Sequence, residues 1–222
     1  IKIASMDINN PLILKKAAKS GLNIILSTGF STTTEISNAV DYLKFYGNKK
    51  ICLLHCIGLY PPPRDNLVNL NNMKMLEETF GHPVGFSDHT LGTEISIAAI
   101  SLGAKVLEKH FTLDKGMFGW DHHISATPEE LAVICKARDR ISLALGSKVR
   151  TVGMLENDRR TSYRRSIILR KKLKKGHKIK KNDIDFQRPG TGINPFEYDK
   201  IIGRILNKDL DKEHILSYKD LV

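Results

Sequence analysis

Long apolar runs are missing from this chain: none approaches the roughly 18 residues that a membrane-spanning helix needs, so no segment reads as a bilayer span. Cysteine is scarce too. Cys52, Cys56 and Cys135 make an odd total of three, which argues against a disulfide framework. Cys52 and Cys56 share one apolar strand-like segment and read as small buried hydrophobes in a reducing, cytoplasmic setting. Aromatic residues are only 7% of the chain and do not interleave with the basic ones in the manner that stacks bases. No G-x-G-x-x-G follows a strand-like segment, which leaves a dinucleotide-binding fold with little support.

What is present is unevenly charged. Residues 148–222 carry 20 Lys+Arg against 10 Asp+Glu, whereas residues 1–147 carry 15 against 14, so nearly all of the net charge of +11 lies in the tail. A basic tail raises nucleic-acid binding as a reading. Without stacking aromatics, a solvated basic face that attracts anionic substrates is the better one.

The first 146 residues repeat one pattern of apolar strand, turn and amphipathic helix. Strands are predicted at 1–5, 23–27, 50–56, 83–87 and 105–112, and helices at 11–19, 33–46, 70–80, 93–102 and 128–145. Such alternation implies right-handed βαβ crossovers and a parallel sheet. Polar candidates gather at the C-terminal ends of the predicted strands: Ser5, Ser27, Thr28, His55, Ser87, Asp88, His89, Glu108 and His110. That edge carries catalytic groups in (β/α)₈ barrels and in open α/β sheets alike. The pattern therefore reads as α/β: a partial (β/α)₈ TIM barrel of five units, three short of closure. Residues 147–162 read as a charged linker. Residues 163–222 read as a small β-rich domain with turns at Gly176, Pro189-Gly190 and Gly192.

The densest chemistry lies in VGFSDHTLG (84–92), VLEKHFTLD (106–114) and GWDHHISA (119–126), which hold four of the eight histidines. Glu108 and His110 share strand parity, so a carboxylate and an imidazole project to one face. A soluble strand does not bury such groups cheaply, because unpaired buried charge is costly. Lys109 has the opposite parity, towards the helices, with no role legible in the sequence.

These motifs, with LLHCIGLYPPP (53–63), RRSI (164–167) and KKGHKIKKNDIDFQRPGTGI (174–193), resemble the N-acetylneuraminate (sialic acid) synthase family, which includes legionaminic and pseudaminic acid synthases. The tail is similar to that family's C-terminal SAF, or antifreeze-like, domain of β-clip fold. The resemblance implies condensation of phosphoenolpyruvate with an N-acetylated amino sugar, giving a nine-carbon 2-keto sugar acid and phosphate. It implies a divalent metal, Mn²⁺ or Mg²⁺, held by His89 and His110 with positions left open for Lewis-acid chemistry. By the same resemblance Glu108 and Asp121 frame the sugar and handle a proton or orient water. Lys2, Ser5, Ser27 and Ser87 hold the phosphoenolpyruvate anion, and Tyr60 touches substrate. Arg188 is inserted into the partner's site of a domain-swapped homodimer. His55 is expected to pack or hydrogen-bond within its strand, outside the metal set.

The sequence departs from the family in places. Gly58 stands where a small polar side chain is common, and Trp120 replaces a frequent proline. Family members carry a further N-terminal portion with the first three barrel strands, which this chain does not contain. A non-catalytic remnant or carbohydrate-binding protein that keeps the site's shape is the alternative. A nucleic-acid module and another metal-dependent barrel aldolase are disfavoured by the two-domain register of motifs.

Overall fold

Five strands form one parallel sheet in simple sequential order: β1 (Lys2–Ile3), β2 (Ile24–Ser27), β3 (Ile51–Cys56), β4 (Val84–Asp88) and β5 (Leu107–Lys109). The computed structural model describes residues 1–222. Helices α1 (Pro11–Lys19), α2 (Thr33–Phe45), α3 (Asn71–Phe80) and α4 (Glu94–Ser101) occupy the successive crossovers, and α5 (Pro128–Leu145) follows β5. Sequential parallel strands with a helix in every connection make a curled part-barrel, as the alternating pattern implied.

Local chemistry starts these helices where the sequence signals them. The Asn10 side chain accepts from the backbone N–H groups of Leu12 and Ile13, and Pro11 opens α1. Thr32 with Glu35, and Thr127 with Glu130, close reciprocal capping boxes at α2 and α5. At α3 the chain leaves the helix through Gly81 in the left-handed region, φ 65°.

The sheet has two chemically distinct faces. Ile3, Ile24, Leu26, Ile51, Leu53, Val84 and Phe86 face the helices and bury themselves against Leu14, Val40, Leu43, Met73 and Leu76. The opposite parity gives an inner row. Register pairs Lys2 with Ile25 and Cys52, Ser27 with Leu54 and Gly85, and Cys56 with Ser87 and Glu108. Gly85 is required there: a Cβ would stand 2.2 Å from the Val106 carbonyl oxygen, so any side chain would push β4 from β5.

Two strands are shorter than the apolar pattern predicts. β1 gives way at Ser5–Asp7 to a 3₁₀ turn. Past Lys109 the chain pairs not with β4 but with its own return, through a Phe111–Ala126 bridge.

The chain divides into two compact units, Ile1–Gly146 and Ser147–Val222. The second contains α6 (Met154–Tyr163), the antiparallel pair β6 (Ser166–Leu169) and β7 (Ile184–Gln187), and the short α7 (Tyr198–Ile201). Helix α6 falls largely in the stretch that reads as linker. None of its residues is buried, so no apolar stripe announces it. Ile167, Leu169, Ile179, Ile201 and Leu216 form this unit's core.

Around that core one residue plan occurs twice, 37 positions apart: Lys171, Leu173, His177, Ile179, Asp183 and Ile184 recur as Lys208, Leu210, His214, Leu216, Asp220 and Leu221. Each copy buries its aspartate in a 3₁₀ turn. Asp183 is bonded by His177 at 2.7 Å, Lys171 at 3.0 Å and the Lys180 N–H at 2.9 Å. Asp220 is bonded by His214 at 3.0 Å, Lys208 at 2.7 Å and the Ser217 N–H at 2.9 Å.

Candidate active site

The C-terminal ends of the parallel strands bring most of the candidate residues together. Ser87, at the inner face of β4, donates to Glu108 on β5 at 2.8 Å, and the Lys2 ammonium from β1 lies 3.4 Å from the same carboxylate oxygen. Register explains the meeting, since Ser87 and Glu108 are direct cross-strand partners. Ser5 accepts from the Gly29 N–H at 2.9 Å. Ser27, at the end of β2, is 2% exposed and its hydroxyl has no hydrogen-bond partner. A buried hydroxyl left without a protein partner is unusual.

Beside this row stand the two imidazoles. The rings of His89 and His110 are 5.3 Å apart between centroids. Tyr60 stacks on His89 at 3.9 Å and meets His110 edge-on at 5.6 Å. His89 Nδ1 lies 2.8 Å from the Ile57 carbonyl oxygen. A carbonyl only accepts, so Nδ1 carries the proton and Nε2 keeps its lone pair. Burial lowers the His89 pKa, against the opposing pull of that carbonyl, which favours the neutral ring. This is how a metal-binding histidine is ordinarily oriented. His110 Nδ1 is 3.7 Å from Asp121, whose side chain is about half exposed. No third His, Cys, Asp or Glu joins the pair in a closed ligand set. A cavity of about 240 Å³ is bordered by Ser87, Asp88, His89, Glu108, Lys109 and His110.

His55 lies on the helix-facing side and bonds the Val68 carbonyl at 2.6 Å, within the fold and apart from the two imidazoles. Arg188 belongs to the second unit, where its guanidinium lies 5.1 Å from the Tyr163 ring centroid.

Three features escaped the sequence reading. Lys109 is buried and bonds Asp88 at 2.8 Å and the Thr90 carbonyl at 2.7 Å. Cys56 lies at the inner row with its sulfur 3.9 Å from His89 Nδ1, so it borders the site rather than only filling core. Phe30 takes a left-handed backbone, φ 61°, and lays its ring over Gly58: a Cβ there would be 2.0 Å from the ring. The opposite parity of Lys109 was a usable signal for the first; the others depend on loop geometry that periodicity does not carry.

A model of the NeuB family matches residues 1–150, and one of the SAF domain matches residues 164–222. The chain belongs to the NeuB family. Relatives within reach of it include an uncharacterized protein of Methanocaldococcus jannaschii, 42% identical over 221 residues, covering 100% of this chain and 65% of that protein. An N,N'-diacetyllegionaminic acid synthase of Campylobacter jejuni is 40% identical over 217 residues, covering 97% of this chain and 65% of its own. Among solved structures, the N-acetylneuraminic acid synthetase of Leptospira borgpetersenii, in complex with citrate, superposes with a TM-score of 0.66 at 39% identity, over 71% of this chain and 54% of that one. The chain thus spans a little under two thirds of the length of the two curated relatives it matches here.

Proposed function

We propose that this chain supplies the metal-binding half of a sialic acid synthase-type site, which condenses phosphoenolpyruvate with an N-acetylated amino sugar and water. The products are a nine-carbon 2-keto sugar acid and phosphate. The observation that carries the reading is the meeting of Lys2, Ser87 and Glu108 at one end of the sheet, beside the paired rings of His89 and His110. Family membership and the names of the relatives support the reaction class.

In this reading Lys2 sets a positive charge, and Ser5 and Ser27 set hydroxyl donors, against the phosphate and carboxylate of phosphoenolpyruvate; Ser87 joins them by turning its hydroxyl from Glu108 to the bound anion. His89 and His110 would hold Mn²⁺ or Mg²⁺, which when bound polarises the sugar's aldehyde oxygen so that the carbonyl carbon accepts the new bond. Glu108 is held by Lys2 and Ser87 in position to orient the water or accept its proton, and Asp121 contacts the sugar beside His110. Tyr60, fixed on the His89 ring, closes one wall. Arg188 reaches the sugar's acyl oxygen in a second copy of the chain, in a domain-swapped homodimer. The site acts in the cytoplasm, and its domains run as 1–146, the connection 147–162, and 163–222.

Phosphate release from phosphoenolpyruvate tests the reading. The full-length protein is expected to release phosphate only with both amino sugar and divalent metal present, and His89→Ala or His110→Ala is expected to abolish it. Release retained in both variants overturns the metal assignment. Sugar binding without any turnover overturns catalysis. Product analysis with N-acetylmannosamine and with a diacetamido trideoxyhexose then identifies the sugar.

A further inference from the structure

Opposite parity on β4 and β5 sends Ser87 and Glu108 to the inner face and Asp88 and Lys109 to the outer one. The outer pair is wholly buried: its side chains are 0% and 4% exposed, with an N–O distance of 2.8 Å. Asp88 is saturated with donors. One oxygen accepts from the Thr90 N–H at 2.8 Å and the Thr90 hydroxyl at 2.7 Å; the other accepts from Ser96 on α4 as well as from Lys109. Lys109 in turn donates to the Thr90 carbonyl, one residue past His89. A buried ion pair is poor evidence of stability, since desolvation offsets its attraction, and such a pair needs another reason to be there.

Its place supplies the reason. Asp88 directly precedes His89, Lys109 lies between Glu108 and His110, and the Thr90 loop is tied to both. We propose that Asp88 and Lys109 are positioning residues, which lock the β4 and β5 ends together from behind so that His89, Glu108 and His110 hold their mutual geometry. The proposal rests on the metal reading of His89 and His110, and acts through those side chains rather than by touching substrate.

The test is the double variant Asp88→Asn/Lys109→Met, which removes both charges and leaves neither unpaired. Folding is checked by thermal melt, and Mn²⁺ affinity by electron paramagnetic resonance titration of the full-length protein with Mn²⁺ alone. The folded variant is expected to bind Mn²⁺ about 10- to 100-fold more weakly, as for other supports behind metal ligands. Lys109→Arg, which keeps the pair, is expected to retain most of the affinity. Wild-type affinity in the folded double variant would overturn the proposal. Should that variant fail to fold, Ser96→Ala decides: a several-fold weaker affinity supports the lock and an unchanged one overturns it. The ring resonances of His89 and His110 in metal-free protein separate this idea from the metal reading. They are expected to shift or broaden in the variants even if wild-type protein binds no Mn²⁺; unchanged resonances count against the lock itself.

Discussion

Replacing Asp183 by asparagine is expected to weaken the second unit by up to about 2 kcal/mol at neutral pH. Burial alone would raise the pKa of this carboxyl, but the hydrogen bonds of His177 and Lys171 and the Lys180 N–H outweigh it and lower the value from 3.8 to about 2. At about 1.4 kcal/mol per pH unit, that gap makes the carboxylate worth about 2 kcal/mol of folding free energy. The Asp183 side chain is only 2% exposed, but the Lys171 that bonds it is 60% exposed, so solvent screens that partner's share and about 2 kcal/mol is an upper figure. Because the folded carboxyl gives up its proton more readily than the unfolded one, this contribution is full above about pH 5. It is lost progressively as the pH falls through about 4 and then about 2, and is gone only below that, where both states are protonated. Urea unfolding, read by hydrogen exchange on peptides spanning β6 and β7, isolates this unit from the first. Wild-type protein should lose stability steadily through that acid window, and Asp183→Asn should start lower and lose less there. A variant as stable as wild type at pH 7, or with the same acid slope, would refute the reasoning.

Other perturbations have equally definite outcomes. Gly58→Asn drives a Cβ into the Phe30 ring, so it is expected to raise the KM for the amino sugar several-fold in steady-state kinetics, and Phe30→Ala in the same chain should recover most of the loss. Glu108→Gln keeps the shape but removes the charge that Lys2 and Ser87 hold; phosphate release should fall by about 10²- to 10⁴-fold in kcat while the protein melts near the wild-type temperature. Thr127→Ala opens the capping box of α5 and should cost about 1 kcal/mol in urea unfolding of the first unit, with little change in kcat.

The part-barrel was legible in the sequence because its signals are local. Thr32 and Thr127 announce helix starts, and apolar runs such as Ile51–Leu54 announce strands that are buried between helices and neighbours. Strand parity also separated Glu108 and His110 from Lys109. What parity cannot supply is register. That Lys109 meets Asp88, 21 positions earlier, follows from how β4 and β5 slide against each other, and only the folded sheet settles it. Phe30 is illegible for another reason: a left-handed backbone is rare for a bulky residue, so composition gives no cue. The twofold plan of the second unit was present in the letters all along. Its repeated His and Asp, six residues apart, are masked by the many lysines around them.

That duplication also decides how the second unit can be cut. Leu173 of the first copy bridges Leu210 of the second, Lys178 bridges Ile205, and Ile168 bridges Ile215. The two copies are therefore tied to each other through backbone bridges as well as through the shared core. Each aspartate is bonded from within its own copy, but Leu173, Ile179, Leu210 and Leu216 share one core, so a truncation between the copies is expected to expose that core and destabilise both halves.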